Sequence, residues 1–280
     1  MRPWLVLAFA GFSFCVIAAS AQTRRIPPAF DCGKDSTTNR PFTLEFQLVD
    51  TKAGAGGELV TAYYSTDVIA QDSHGREMMI ETMGIASRKL RGKMVGRVCD
   101  PVGQRQIMWD SDEKLAWVLA MPATDQRRGC WVSDSGQFTI DFDAANSARA
   151  AARSRALWES SITEHSELPA NFEDLGTADF QGLEAHGYRS TSPPAGPGDP
   201  IPPYLVEEHW VAPSLGMWVK HQVDYPRREG STVKWQKELT SYKPGKPAPS
   251  LFEVPEGFAI VNQSMHRAVC TRGGEVRSPQ

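Results

Sequence analysis

Five cysteines are spread through 280 residues with no Cys-x-x-Cys, so no zinc-finger or ribbon framework is present. Charge of one sign is also scarce, with Lys+Arg 30 against Asp+Glu 33 and no run of five basic residues. That removes the electrostatic footprint of a nucleic-acid or anionic-membrane binder, and no nucleic-acid partner is expected. His-Glu-x-x-His, Gly-x-Ser-x-Gly, Walker and dinucleotide glycine patterns are all missing. The expectation is therefore a protein that is not an enzyme, with no catalytic residues, no cofactor and no metal. Beyond Ala21 no apolar run is long enough to span a bilayer. Hydrophobic residues nevertheless make up 41% of the chain, enough for a packed core.

Residues 1–21 read as a signal peptide. Arg2 opens it, Trp4 to Ala10 and Phe12 to Ala19 form its apolar stretch, and Ala19-Ser20-Ala21 offers the small residues needed for cleavage before Gln22. The expected address is the periplasm or the extracellular space, in soluble form. In an oxidising compartment the remaining Cys32, Cys99, Cys130 and Cys270 favour disulfides, for which three connectivities exist. The pairing taken forward is Cys99 with Cys130 and Cys32 with Cys270.

Residues 22–41 form a polar, proline-containing lead-in, and 42–262 read as one β-rich domain. Thr43 to Leu48 alternates polar and apolar, the mark of a strand with one face on a core. Strands are expected at 59–69, 78–83, 93–99, 105–109 and 115–121, separated by turn residues such as Asp72 to Gly75 and Asp100 to Gly103. Both parities of 115–121 are apolar, so that strand is covered on both sides. The expected cover is a helix over 144–166, with Asp143 at its start and Pro169 beyond its end. Further strands are expected at 181–191, 204–211, 215–225 and 231–242, and a flexible tail at 263–280.

Several segments together resemble a known group. They are Leu175-Gly176-Thr177, Gln181 to Gly187, Glu207-Glu208-His209-Trp210, and Ser250-Leu251-Phe252-Glu253-Val254-Pro255-Glu256-Gly257-Phe258, with the turns in Gln71 to Glu81 and Asp100 to Met121. Over roughly residues 42–260 the chain resembles exported bacterial proteins related to the periplasmic lipoprotein-carrier, LolA-like superfamily. The resemblance implies an open, curved antiparallel half-barrel with a helix packed on or crossing it, and a lipid, acyl-chain or lipoprotein ligand held in the concave face. It supplies no catalytic residue. The second reading is a module that binds an envelope protein and no small molecule.

Candidate lining residues for the concave face are Leu44, Phe46, Leu48, Trp109, Trp117 and Trp235. Asp110 with Asp112 lies in a hairpin turn, and Glu207 and Glu208 point to opposite faces of a strand, so neither pair suits acid/base work. His221 shares its parity with apolar neighbours. With no second His or Cys at ligand spacing, it reads as a core histidine. Trp218 shares parity with Lys220, Gln222 and Asp224 and reads as a partly exposed platform.

Overall fold

A computed structural model describes residues 40–53, 58–84, 92–143, 171–192, 205–226, 232–270 and 276–277. The expected signal peptide, most of the lead-in with Cys32, and the expected helix at 144–166 lie outside these residues. Among the described ones, helical backbone is confined to Phe142–Asp143 and two 3₁₀ turns, Thr124–Gln126 and Pro249–Phe252. None is long and apolar enough to cross a membrane.

The rest is one curved, unclosed sheet, all antiparallel except for one ladder. Its first meander runs through β1 (Phe42–Ala53), β2 (Leu59–Gln71), β3 (Glu77–Met83), β4 (Lys93–Asp100), β5 (Arg105–Asp110) and β6 (Leu115–Ala120). Next come β7 (Cys130–Ser133) and β8 (Thr139–Asp141). A second meander follows: β9 (Phe172–Phe180), β10 (Leu183–Ser192), β11 (Leu205–Ala212), β12 (Met217–Pro226) and β13 (Thr232–Pro244). The two meanders meet where β13 pairs with β1. The chain closes with β14 (Ala259–Cys270) and β15 (Val276–Arg277). β14 runs parallel to β6 and antiparallel to β7, so residues 263–270 are sheet where a tail was expected. Met265 belongs to the core.

Alternation sorts side chains onto two faces, and the ladder registers carry the sorting from strand to strand. The front face holds Phe42, Leu44 and Phe46 of β1, with Ile69, Met79, Arg97, Met108 and Trp117 on successive strands. The back face holds Val68, Ile80, Gly96, Trp109 and Ala116. The double apolar parity of β6 is explained by covers on both sides. In front, Trp117 and Leu119 pack with Phe138, Ile140 and Phe142 around β7 and β8. Behind, Ala116 and Val118 pack with Phe252 and Phe258.

The back cover is a clasp built from the quoted motifs. Asp72 accepts hydrogen bonds from the backbone N–H groups of His74 (2.8 Å) and Arg76 (2.9 Å) and from Arg76 Nε (2.8 Å), closing the β2–β3 turn. Asp100 does the same for Gly103 and Arg105 in the β4–β5 turn. Arg76 and Arg105 both reach Glu253, and the Arg76 guanidinium lies over the Phe252 ring at 4.7 Å. Three segments far apart in sequence thus become one structural unit.

Each meander also has a glycine beneath an indole. Gly96 faces Trp109 across β4 and β5, and Gly187 faces Trp210 across β10 and β11. A Cβ at Gly96 would stand 1.9 Å from the Trp109 ring, and one at Gly187 would stand 2.7 Å from Trp210. The ring lying over the bare backbone restores the packing that glycine forgoes in a strand.

Candidate functional site

The front face carries two distinct sites. The first is a cavity of about 210 Å³ over β1 to β5, walled by Phe42, Ile69, Met79 and Met217, with Arg97 and buried Gln106 among its polar groups. Burial pushes the Arg97 guanidinium below its ordinary range, against the pull of the Glu81 carboxylate. Glu81 in turn accepts a hydrogen bond from Tyr63 Oη at 3.0 Å, and burial raises the Tyr63 phenol.

None of the six expected lining residues borders this cavity. Leu44, Phe46, Leu48, Trp117 and Trp235 do share the front face. Leu44 and Phe46 are consumed by the core with Val219 and Leu239, and Trp117 packs edge-on against Phe138 at 5.7 Å. Trp109 lies on the opposite face, edge-on to Phe258 at 5.6 Å. Two-sided apolarity around β5 and β6 let both indoles read as lining, whereas each already has a partner within the fold.

The second site is polar and aromatic, on β11 to β13. Glu207 and His209 are two apart on β11 and so share the front face, and His221 stands opposite His209 on β12. His209 is 2% exposed, with its Nε2 3.5 Å from Glu207 Oε2. Its ring lies 4.4 Å from that of His221 and stacks on Trp218 at 4.7 Å, with 1° between the planes. Trp235 meets His221 edge-on at 4.9 Å.

This arrangement corrects two sequence expectations. His221 does have a second histidine beside it, and Trp218, partly exposed as expected, shares a face with His209 rather than with Lys220. The cause is a register slip in which Trp210 pairs with Lys220 but Val211 pairs with Trp218, passing over Val219. In the unslipped register set by Ala212 and Met217, His209 would oppose Lys220, and Trp218 would keep its polar parity. The readable signal was Glu207-x-His209 and His221 flanking the turn at 213–216. It becomes a cluster only through the bulge.

Glu207 and Glu208 do point to opposite faces. On the back, Glu208 accepts hydrogen bonds from Trp210 Nε1 (2.8 Å) and Lys220 Nζ (2.9 Å), with Arg189 at 3.4 Å. Burial opposes its charge, but these donors hold the Glu208 carboxyl below the usual range. Lys237, the residue that interrupts the apolar face of β13, bonds Asp67 Oδ2 at 2.5 Å and lies over the Phe46 ring at 5.0 Å.

Cys99 on β4 and Cys130 on β7 are separated in the sheet by β5, β6 and β14.

No family model matches the sequence, and neither does any curated protein. Solved structures similar to this chain include a LolA superfamily protein from Nitrosomonas europaea, at 7% identity and TM-score 0.25, over 77% of this chain and 90% of that one. The Mycobacterium tuberculosis lipoprotein LppX is similar at 10% identity and TM-score 0.29, over 74% and 87%. LprF from Mycobacterium bovis is similar at 10% and 0.29, over 77% and 90%. Identities and TM-scores this low transfer neither ligand nor activity.

Proposed function

We propose that this is a non-catalytic exported binding protein that takes an apolar guest, an acyl-chain end or an apolar segment of a lipoprotein, into the front face over β1 to β5. The observation that carries the reading is the cavity of about 210 Å³, whose apolar walls include Phe42, Ile69 and the flexible side chains of Met79 and Met217. Arg97 at its side gives a carboxylate or phosphate headgroup a cation. Ligand pockets for whole small molecules run to about 300–1,000 Å³, so the described cavity suits part of a chain rather than an entire lipid. That same shortfall favours the second reading, in which a partner protein in the envelope inserts a side chain and no free lipid is carried.

Native mass spectrometry and lipid extraction of protein purified from the envelope distinguish the two. A co-purifying lipid that disappears in Met79→Trp, which fills the cavity, supports the carrier reading. A lipid-free protein that also fails to bind a fluorescent fatty acid removes it.

The exported address extends to the cysteines. Cys99 and Cys130 are both buried. Three strands stand between theirs in the sheet order, and Cys130 lies in register with Ala268, two residues from Cys270. The proposed pairing is therefore Cys130 with Cys270 and Cys99 with Cys32. Non-reduced peptide mapping checks it, and four alkylatable thiols in the exported protein would exclude it.

A further inference from the structure

We propose that Glu207, His209 and His221 form a binding site for a first-row transition-metal ion of the zinc type, held on β11 and β12. The site is independent of the apolar cavity and of any guest there. Two imidazoles and one carboxylate are a donor set that zinc uses where a fourth position stays open, and borderline N/O donors favour zinc, copper or nickel over calcium and magnesium. The three groups offer ligand atoms that all lie within 4.8 Å of one another.

Bond lengths of about 2.0–2.2 Å place tetrahedral ligand atoms roughly 3.3–3.5 Å apart. The Glu207–His209 edge, at 3.5 Å, already has that length. Closing an edge of 4.8 Å to that length takes roughly 1.3 Å of ligand-atom movement.

The framework suits the task. Glu207 and His209 are locked to one face by strand alternation, and His221 is placed by the ladder, so all three ligands stand on paired strands rather than on a loop. A simple ion pair would account for His209 beside Glu207 but not for the second imidazole converging on the same point. Trp218 and Trp235 wall the cluster, and an apolar shell of this kind controls solvent access and local dielectric around a metal. The nearest cation in register, Lys237 opposite His221, is directed the other way, to Asp67 and the Phe46 ring. Its charge is thereby kept from the metal position.

The test uses the mature chain without a polyhistidine tag, stripped with chelator and titrated with Zn²⁺ by calorimetry, then with Cu²⁺ by tryptophan fluorescence. One equivalent per chain with micromolar or tighter affinity is expected. Quenching should be strong, because Trp218 and Trp235 border the site. His221→Gln and Glu207→Gln, both at partly exposed positions, should each weaken Zn²⁺ binding at least tenfold while leaving the circular dichroism spectrum unchanged. His266→Ala, far from the cluster, should leave affinity intact. Absence of saturable Zn²⁺ binding overturns the proposal, as does binding that survives both substitutions in folded protein.

Discussion

The two halves of the front face are built by the same alternation on the same sheet, yet they meet opposite chemistries. Over β2 to β5 the face presents Ile69, Met79 and Arg97 around a cavity, whereas over β11 to β13 it presents Glu207, His209, His221 and Trp235. Their backs differ in parallel. Behind the cavity lies the apolar clasp of Phe252 and Phe258. Behind the imidazoles lies the charged lattice of Glu173, Arg189, Glu208 and Lys220. A strand pattern thus fixes which side a residue takes, while the cover laid over that side decides whether it becomes core, cavity or donor cluster.

The largest expected effect breaks the comparison from the clasp. Phe252 is 0% exposed, and Phe252→Ala should cost about 3–5 kcal/mol in denaturant unfolding through lost burial and the cavity left behind. Native-state hydrogen exchange should show the loss first in β3 to β5, with β11 and β12 retaining protection. Uniform loss across both meanders would mean that the halves open as one unit.

The two glycine–indole pairs sharpen the same contrast. Gly96→Ala forces a methyl group to 1.9 Å from Trp109, which is itself held by Phe258, and overpacking of this type costs about 1–3 kcal/mol. Gly187→Ala meets Trp210 at 2.7 Å and should cost less. Thermal melts of both variants rank them, and the reverse order would show that Trp210 is the less movable ring.

Acid titration separates the turns from the sites. Burial raises the Asp72 carboxyl, but Arg76 and the N–H groups of His74 and Arg76 outweigh it and hold the group below its ordinary value of 3.8. A carboxyl depressed on folding stabilises above its unfolded pKa, and that contribution is lost as pH falls through the lower, folded value. Asp72→Asn should therefore destabilise by about 1–2 kcal/mol at neutral pH, through lost charge-assisted bonds, and flatten the acid limb below about pH 4. Urea midpoints measured from pH 7 to pH 2 check the sign.

Much of the strand layout was legible because period-two patterns such as Thr43 to Leu48 are local. The alternation of β13 likewise placed Trp235 and Leu239 on one face, with Lys237 as the interruption. What stayed hidden was set by pairing between distant segments. The parallel seating of β14 on β6 leaves no local mark, so Met265 read as tail. The slip at Val219 reversed Trp218 and matched His209 with His221, and a bulge follows from packing on the neighbouring strands rather than from parity. The clasp was visible as three motifs, but their convergence on Glu253 was not.

The smallest expected effect tests what holds that clasp. Glu253 bridges Arg105 at 3.2 Å and Arg76 at 3.7 Å, but its side chain is 51% exposed, so water and salt screen both contacts. Exposed ion pairs contribute about 0–1 kcal/mol, and Glu253→Ala should fall in that range. Its neighbour Phe252 buries a whole ring, so the two adjacent substitutions should differ several-fold in the same urea titration. If Glu253→Ala instead matched Phe252→Ala, the β2–β3 and β4–β5 turns would depend on the carboxylate to be drawn together. The back of the cavity would then be an electrostatic assembly like the one behind the imidazoles, and the contrast between the two halves would disappear.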